Sequence, residues 1–152
     1  SYNGVSASTL CGLSHLEGKT VAILADGAVQ TSQAVASGCI TLSPAASKVS
    51  AGLPYTSTLQ TMRMVGNTAT GTIQGQKKRI NKVVMRIENA KQFKYGYIPT
   101  ILQEKTFDAL YTGDVELDMP MDTNREGYVS IVNDLPLPIT IDAIIPEVTF
   151  YP

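Results

Sequence analysis

An Asp-Gly pair at the end of an apolar run is the feature that most restricts how this chain can fold. The run 21–25 (VAILA) leads directly into Asp26 and Gly27. Asp-Gly suits the tight two-residue turn of a β-hairpin, because both positions of that turn need positive φ. The sequence therefore predicts that residues 21–25 form a strand and that the chain reverses at Asp26-Gly27.

Short apolar runs separated by turn residues recur along the rest of the chain. Their spacing of roughly 8 to 12 residues is typical of all-β proteins. Several runs alternate as strands do: Val115, Leu117 and Met119 are predicted to face a core, with Glu116 and Asp118 in water. The runs lie at residues 5–10, 21–25, 34–42, 83–87, 115–119, 128–132 and 139–145.

Residues 78–89 fit two kinds of secondary structure, because their apolar positions match both helical and strand spacing. The strand spacing is that of Val83, Met85 and Ile87. The β-branched content and the β-rich surroundings favour a strand. A short helical turn is best placed at residues 68–76, although two glycines weaken it.

The chain is long enough for one ordinary domain or two small ones, and the segment 52–55 (GLPY) is a plausible boundary between two. We predict an all-β chain with a small β-barrel over residues 13–51, followed by an antiparallel β-sandwich-like domain over residues 52–152. A strand within residues 1–12 is an optional addition to the second domain. Leu135-Pro136-Leu137-Pro138 is expected to be a rigid extended bend.

Charge and cysteine content exclude several classes of protein. Charged residues make up 16% of the chain and the net charge is −1, whereas wrapping nucleic acid needs a strongly basic surface. No apolar run approaches the roughly 18 residues of a membrane span. Cys11 and Cys39 are too far apart in sequence for a CxxC site, and we expect free, partly buried thiols in preference to a disulfide.

The side chains that could support catalysis or bind a metal have simpler interpretations. The single histidine, His15, is expected to pack and hydrogen-bond before a strand. A glycosidase would need two converging carboxyls; the solvated face of an amphipathic strand explains the acidic residues better. A calcium loop beginning at Asp122 lacks its last ligand, because Asn133 stands there. We predict no catalytic residue, cofactor or metal. The acidic residues are Asp114, Glu116, Asp118 and Asp122.

Two groups of residues are candidates for contact with partners. One basic cluster precedes residue 80, and a solvated or interface patch is favoured there over nucleic-acid binding. Tyrosine is enriched at protein interfaces because it buries area and keeps a polar group. The interface candidates are Lys77, Lys78, Arg79, Tyr95, Tyr97 and Tyr111.

Several segments, taken in order, resemble tail proteins of the nozzle type from short-tailed bacteriophages, which build the distal tail tube. The resemblance implies a non-enzymatic subunit of a ring around a DNA channel, located in the virion tail and representing the C-terminal portion of a longer protein. Its implied partners are copies of itself and other tail proteins. The segments are 12–21 (GLSHLEGKTV) with 25–27 (ADG), 52–57 (GLPYTS) leading to Leu59, 74–83 (QGQKKRINKV), 111–114 (YTGD), and 127–131 (GYVSI) with 135–138 (LPLP).

Two other functions remain open at this stage. The first is a host-surface or carbohydrate-binding module of a phage tail, which would need a shallow groove of stacked aromatics near Tyr95 and Tyr97 or near Tyr111. The second is a glycan hydrolase, for which Asp114 and Asp118 would be the first carboxyl pair to mutate. No sequence-specific nucleic-acid binding and no membrane span are expected.

Overall fold

The chain folds almost entirely into β-strands in the computed structural model, which describes residues 1–68, 71–72, 74–119, 123 and 125–151. The all-β prediction is confirmed. Within this described part there is one short 3₁₀ helix, Ser14–Leu16, and no helix long and apolar enough to cross a membrane. The strands are β1 (Tyr2–Cys11), β2 (Thr20–Ala25), β3 (Ala28–Ala34), β4 (Cys39–Gly52), β5 (Ser57–Gln60), β6 (Asn67–Thr68), β7 (Gly71–Thr72), β8 (Lys77–Ile98), β9 (Ile101–Asp118), β10 (Ser130–Asn133) and β11 (Thr140–Tyr151).

The chain divides into two compact units. The first comprises Ser1–Thr56 with Asp134–Leu137, and the second comprises Ser57–Asn133 with Pro138–Pro152. Strand β1 pairs with β4 and therefore lies in the first unit. The expectation that residues 1–12 add a strand to the second domain is corrected accordingly.

The first unit is a four-stranded antiparallel sheet in the order β1-β4-β2-β3. Strands β2 and β3 meet at the predicted turn, where Asp26 has φ 47° and Gly27 has φ 78°. The Asp26 carboxylate accepts hydrogen bonds from the backbone N–H groups of Ser47, at 3.1 Å, and Lys48, at 2.8 Å. These bonds hold the pKa of Asp26 below its usual value and tie the turn to β4.

The barrel predicted for residues 13–51 is not closed, because β1 and β3 remain at the edges of the sheet. Glutamine side chains of β3 form hydrogen bonds with the backbone of β4, the strand that β3 would have to pair with to close the barrel. The Gln33 amide donates to the Thr41 carbonyl and accepts from the Thr41 N–H. The Gln30 amide donates to the Pro44 carbonyl at 2.9 Å. Side-chain amides thus connect β3 and β4 in place of strand pairing.

The core of the first unit consists mainly of alanines and β-branched residues from strands β2 and β4, with Val35 and Leu42. Tyr2, Leu10, Leu13 and Leu16 pack against its margin. Its buried members are Val21, Ile23, Ala25, Val35, Ile40, Leu42, Ala46 and Val49.

Cys11 and Cys39 form a disulfide, so the expectation of free thiols was wrong. Cys11 ends β1 and Cys39 begins β4, and the antiparallel register places these two residues directly opposite each other. The pairing could not be read from the sequence, because it depends on β1 joining β4 and not the second domain.

The second unit is arranged around the 22-residue strand β8. One edge of β8 pairs with β9, and the other edge pairs first with β11 and then with β10, which in turn pairs with β5. The strand interpretation of residues 78–89 is therefore confirmed. The β8–β9 register shifts on both sides of Ala90, and Asn89 has φ 52°. These irregularities bend the long strands.

Both halves of β8 contribute to a single core, which gives the sandwich-like packing. Val115, Leu117 and Met119 of the β9 region face this core as predicted, while Glu116 and Asp118 are exposed. The buried residues are Ile80, Val83, Met85, Ile87, Ala90, Phe93, Tyr95, Val115, Leu117, Met119, Val129 and Ile131.

Residues 68–76 do not form the expected helical turn in their described part. Asn67 and Thr68 pair with Thr72 and Gly71 as a minimal antiparallel hairpin. Gly71 has φ 120°, a conformation outside any helix. The remaining residues of this prediction, 69, 70 and 73, lie outside the described part of the chain.

Candidate interaction surfaces

Lys78 is a structural residue and not the surface residue that the basic cluster suggested. Its side chain is fully buried. The ammonium donates hydrogen bonds to the Met64 carbonyl at 2.7 Å and the Arg125 carbonyl at 3.2 Å. A buried charge must be hydrogen-bonded to be tolerated. Lys78 thereby connects the segment after β5 to the segment before β10.

Lys77 and Arg79 remain candidates for contact with a partner, because both are exposed. They alternate with buried Lys78 and Ile80 along β8, as the two faces of a strand require. In the register with β11, Lys77 lies opposite Tyr151 and Arg79 opposite Thr149. The exposed end of the β8–β11 pair therefore combines two cations with a partly exposed tyrosine.

Tyr95 belongs to the core and is not part of a surface groove. It is 8% exposed, and its hydroxyl donates to the side-chain oxygen of Gln103 at 2.9 Å. Burial raises the pKa of Tyr95, and the nearby Asp118 carboxylate adds to the effect. Gly96 beside it packs against the backbone of Ile101 and Leu102.

Tyr111 is half-buried, and both its ring and its hydroxyl make contacts within the chain. Its ring stacks on Phe107 with centroids 4.6 Å apart, and its hydroxyl donates to the Asp114 carbonyl at 2.7 Å. Tyr97 stacks on Tyr128 with centroids 6.4 Å apart, and burial raises its pKa. The structure therefore places Tyr95, Tyr97 and Tyr111 in separate contacts and does not bring them together as one groove of stacked aromatics.

The carboxylates of β9 form ion pairs across the exposed face of the sheet. Asp114 accepts from both Nε and a terminal guanidinium nitrogen of Arg86, at 2.8 and 3.0 Å. Glu116 pairs with Lys82 at 3.2 Å. The bond from Arg86 lowers the pKa of Asp114, and the bond to Glu116 raises that of Lys82. This is the solvated strand face that the alternation predicted.

The remaining candidates for catalysis or metal binding form no site among the described residues. His15 lies exposed on the 3₁₀ helix, so the expected packing of its ring is not found. Asp122, the first residue of the calcium-like sequence, lies outside the described residues. Within the residues that are described, no group of three or more His, Cys, Asp or Glu side chains could hold a metal ion.

Sequence reasoning missed a set of exposed apolar side chains on the edge strands of the second unit. Leu110 is 58% exposed, in a bulge where residues 107–110 of β9 lie opposite Lys91 alone. Ile145 of β11 is 56% exposed. Ile145 lies in the apolar run 139–145, which resembles a core strand, so only the paired structure separates it from the core. The set on the edge strands is Leu59, Ile101, Leu110, Ile145, Phe150 and Tyr151, and the segment between β5 and β6 adds exposed Met62 and Val65.

No protein-family model matches the chain, and no curated protein is found to be similar to it.

Proposed function

We propose that this chain is a non-enzymatic structural module of a bacteriophage tail, which assembles with copies of itself and with other tail proteins in the distal, nozzle-type part of the tail tube. The proposal rests on the ordered resemblance of its segments to such proteins. The main structural support for the proposal is the set of exposed apolar side chains on the edge strands of the second unit.

Edge strands usually limit their exposure by being short or by carrying charges. In the described residues, β9 and β11 each pair with β8 alone and span 18 and 12 residues. Strands of globular proteins are usually between about 3 and 10 residues long. Ile101 and Leu110 on β9, with Ile145 and Phe150 on β11, are exposed. Neighbouring subunits of a ring would cover such edges.

The charges of the chain are consistent with association between subunits. On β9, Asp114 and Glu116 pair with Arg86 and Lys82 within the unit, but Asp108 is exposed close to Leu110, whereas Lys77 and Arg79 form a basic pair at the start of β8. A ring repeats one heterologous contact around its axis, so each subunit must offer two different, complementary surfaces. The edge of β9 around Asp108 and Leu110 and the basic end of β8 are two such surfaces.

Light scattering and negative-stain electron microscopy of the purified protein test this proposal. We expect ring-shaped particles, six-fold if the resemblance extends to symmetry. Leu110→Lys and the pair Lys77→Glu with Arg79→Glu should abolish rings while leaving far-UV circular dichroism unchanged. Val5→Lys is the matched control, because Val5 is 85% exposed but lies on β1 of the first unit.

Two results would contradict the proposal. One is a wild-type protein that stays monomeric at every concentration tested. The other is ring formation that survives both sets of changes on the second unit, because the basic end of β8 and the edge of β9 would then play no part in assembly. Loss of rings in the Val5→Lys control would instead place the contact on the first unit.

A further inference from the structure

Strand β1 contributes little to the core of the first unit. No residue of β1 is buried, and only Tyr2, Ala7 and Leu10 are half-buried. All eight buried apolar residues of that core lie between Val21 and Val49, and β1 adds only Tyr2 and Leu10 at its margin. Release of β1 would therefore uncover the margin of the core and remove none of its buried members.

The pairing of β1 with β4 is also irregular. Its register shifts on both sides of Ala7, which leaves a continuous three-residue ladder only from Thr9 to Cys11. Segments with few buried contacts and exposed backbone hydrogen bonds open at a low free-energy cost. Backbone pairing alone thus holds β1 weakly.

The disulfide lies at the end of this ladder and is accessible to solvent. Cys11 is exposed and Cys39 is half-buried. The bond joins residues 28 positions apart. Closing such a loop keeps the two strands at a high effective concentration. A small thiol can reach the Cys11 sulfur and exchange with it.

We propose that the Cys11–Cys39 disulfide is a redox latch that fixes β1 to β4 when oxidised and releases β1 when reduced. Opening consumes two equivalents of a small thiol. The first thiolate attacks one sulfur and forms a mixed disulfide, and the second releases the reductant as its own disulfide. Both cysteines are left as thiols. Closing reverses these steps, with a small-molecule disulfide such as oxidised glutathione accepting the two electrons.

Release of β1 would change which backbone groups the first unit exposes. The edge of β4 that pairs with β1, between Cys39 and Val49, would lose its partner. The other side of β4 would keep its contacts with β2 and with the glutamines of β3. The latch therefore controls one sheet edge without unfolding the unit. This inference concerns the first unit alone and does not depend on the proposed function.

Hydrogen exchange followed by mass spectrometry, with and without dithiothreitol, tests the latch. Alkylation of the quenched protein first establishes how many thiols are free. We expect reduction to speed exchange in residues 2–11 and in the paired part of β4 by at least about tenfold. Exchange in β2 and β8 should stay unchanged. Oxidised glutathione should restore the original protection.

The double variant Cys11→Ser with Cys39→Ser supplies the matched control. Its exchange rates should equal those of the reduced wild-type protein, both with and without dithiothreitol. Unchanged protection of residues 2–11 after complete reduction would overturn the proposal, because β1 would then be held by pairing alone. Loss of protection throughout the first unit would also overturn it, because the disulfide would then support the whole fold. Thiols that stay free in oxidised glutathione would exclude the latch.

Discussion

Gly96 is the position where a single added carbon should disturb the second unit most. A Cβ at this position would overlap the carbonyl oxygen of Ile101 and lie 3.1 Å from its carbonyl carbon and 3.2 Å from the Leu102 Cα. All three are backbone atoms, so no side chain can rotate away. The only relief is movement of the first residues of β9 away from β8.

The cost of Gly96→Ala follows from that movement. Restoring ordinary van der Waals distance requires the Ile101 carbonyl to move by at least about 1.3 Å, and overpacking of this kind costs about 1–3 kcal/mol. Weakening one ladder hydrogen bond adds about 1 kcal/mol. We therefore expect the free energy of unfolding of the second unit to fall by about 2–4 kcal/mol.

Gly52→Ala is the matched control. Gly52 also lies in a strand, and no atom lies within 4 Å of the place that an alanine Cβ would take there. Alanine should stabilise the protein at this position by about 0.4–1 kcal/mol, because it restricts the unfolded chain.

Urea unfolding followed by tyrosine fluorescence measures both changes, since the chain has seven tyrosines and no tryptophan. The slope of the unfolding free energy against urea should be the same in the two variants. Equal stability of Gly96→Ala and Gly52→Ala would refute the argument, because the backbone of β9 would then have room for the methyl group.

Three further predictions concern single side chains. Lys78→Ala should lower the free energy of unfolding by about 2–4 kcal/mol, because the buried stem and its hydrogen bonds are lost. Lys77→Ala, at an exposed position, should change it by less than about 0.5 kcal/mol. Equal changes for the two variants in urea titrations would contradict the burial of Lys78. The pKa of Asp26 is lowered in the folded state, so its stabilisation is present above about pH 4 and is lost as the pH falls through the folded pKa. The stability difference between wild type and Asp26→Asn should accordingly disappear in acid melts, and a difference constant with pH would refute this. Gln33→Ala should loosen β3 from β4 and speed amide exchange at Thr41, and unchanged exchange would mean that the glutamine bonds are not retained in solution.

The parts of the fold that depend on neighbouring residues could be predicted from the sequence. The turn at Asp26-Gly27 follows from residues that accept positive φ, and the inward side chains of Val115 and Leu117 follow from alternation. Both signals lie within a few residues of the feature that they specify.

The parts that depend on distant contacts could not be predicted. Burial of Lys78 rests on carbonyl groups of Met64 and Arg125, and backbone carbonyls carry no sequence signature. The Cys11–Cys39 bond likewise depends on a strand pairing that closes a separation of 28 residues. The same holds for the interaction surfaces. From the sequence Leu110 would be taken for a core residue, and only the bulge in β9 shows that it is exposed.

The proposed function requires the chain to be a component of phage virions, and its immunological detection in purified virions tests this most directly. Denatured virions would be blotted with antibodies against this chain, and intact ones labelled with gold for electron microscopy. The proposed function predicts a positive blot and gold at the distal end of the tail. Absence of the protein from denatured virions, or gold confined to the head, would contradict it.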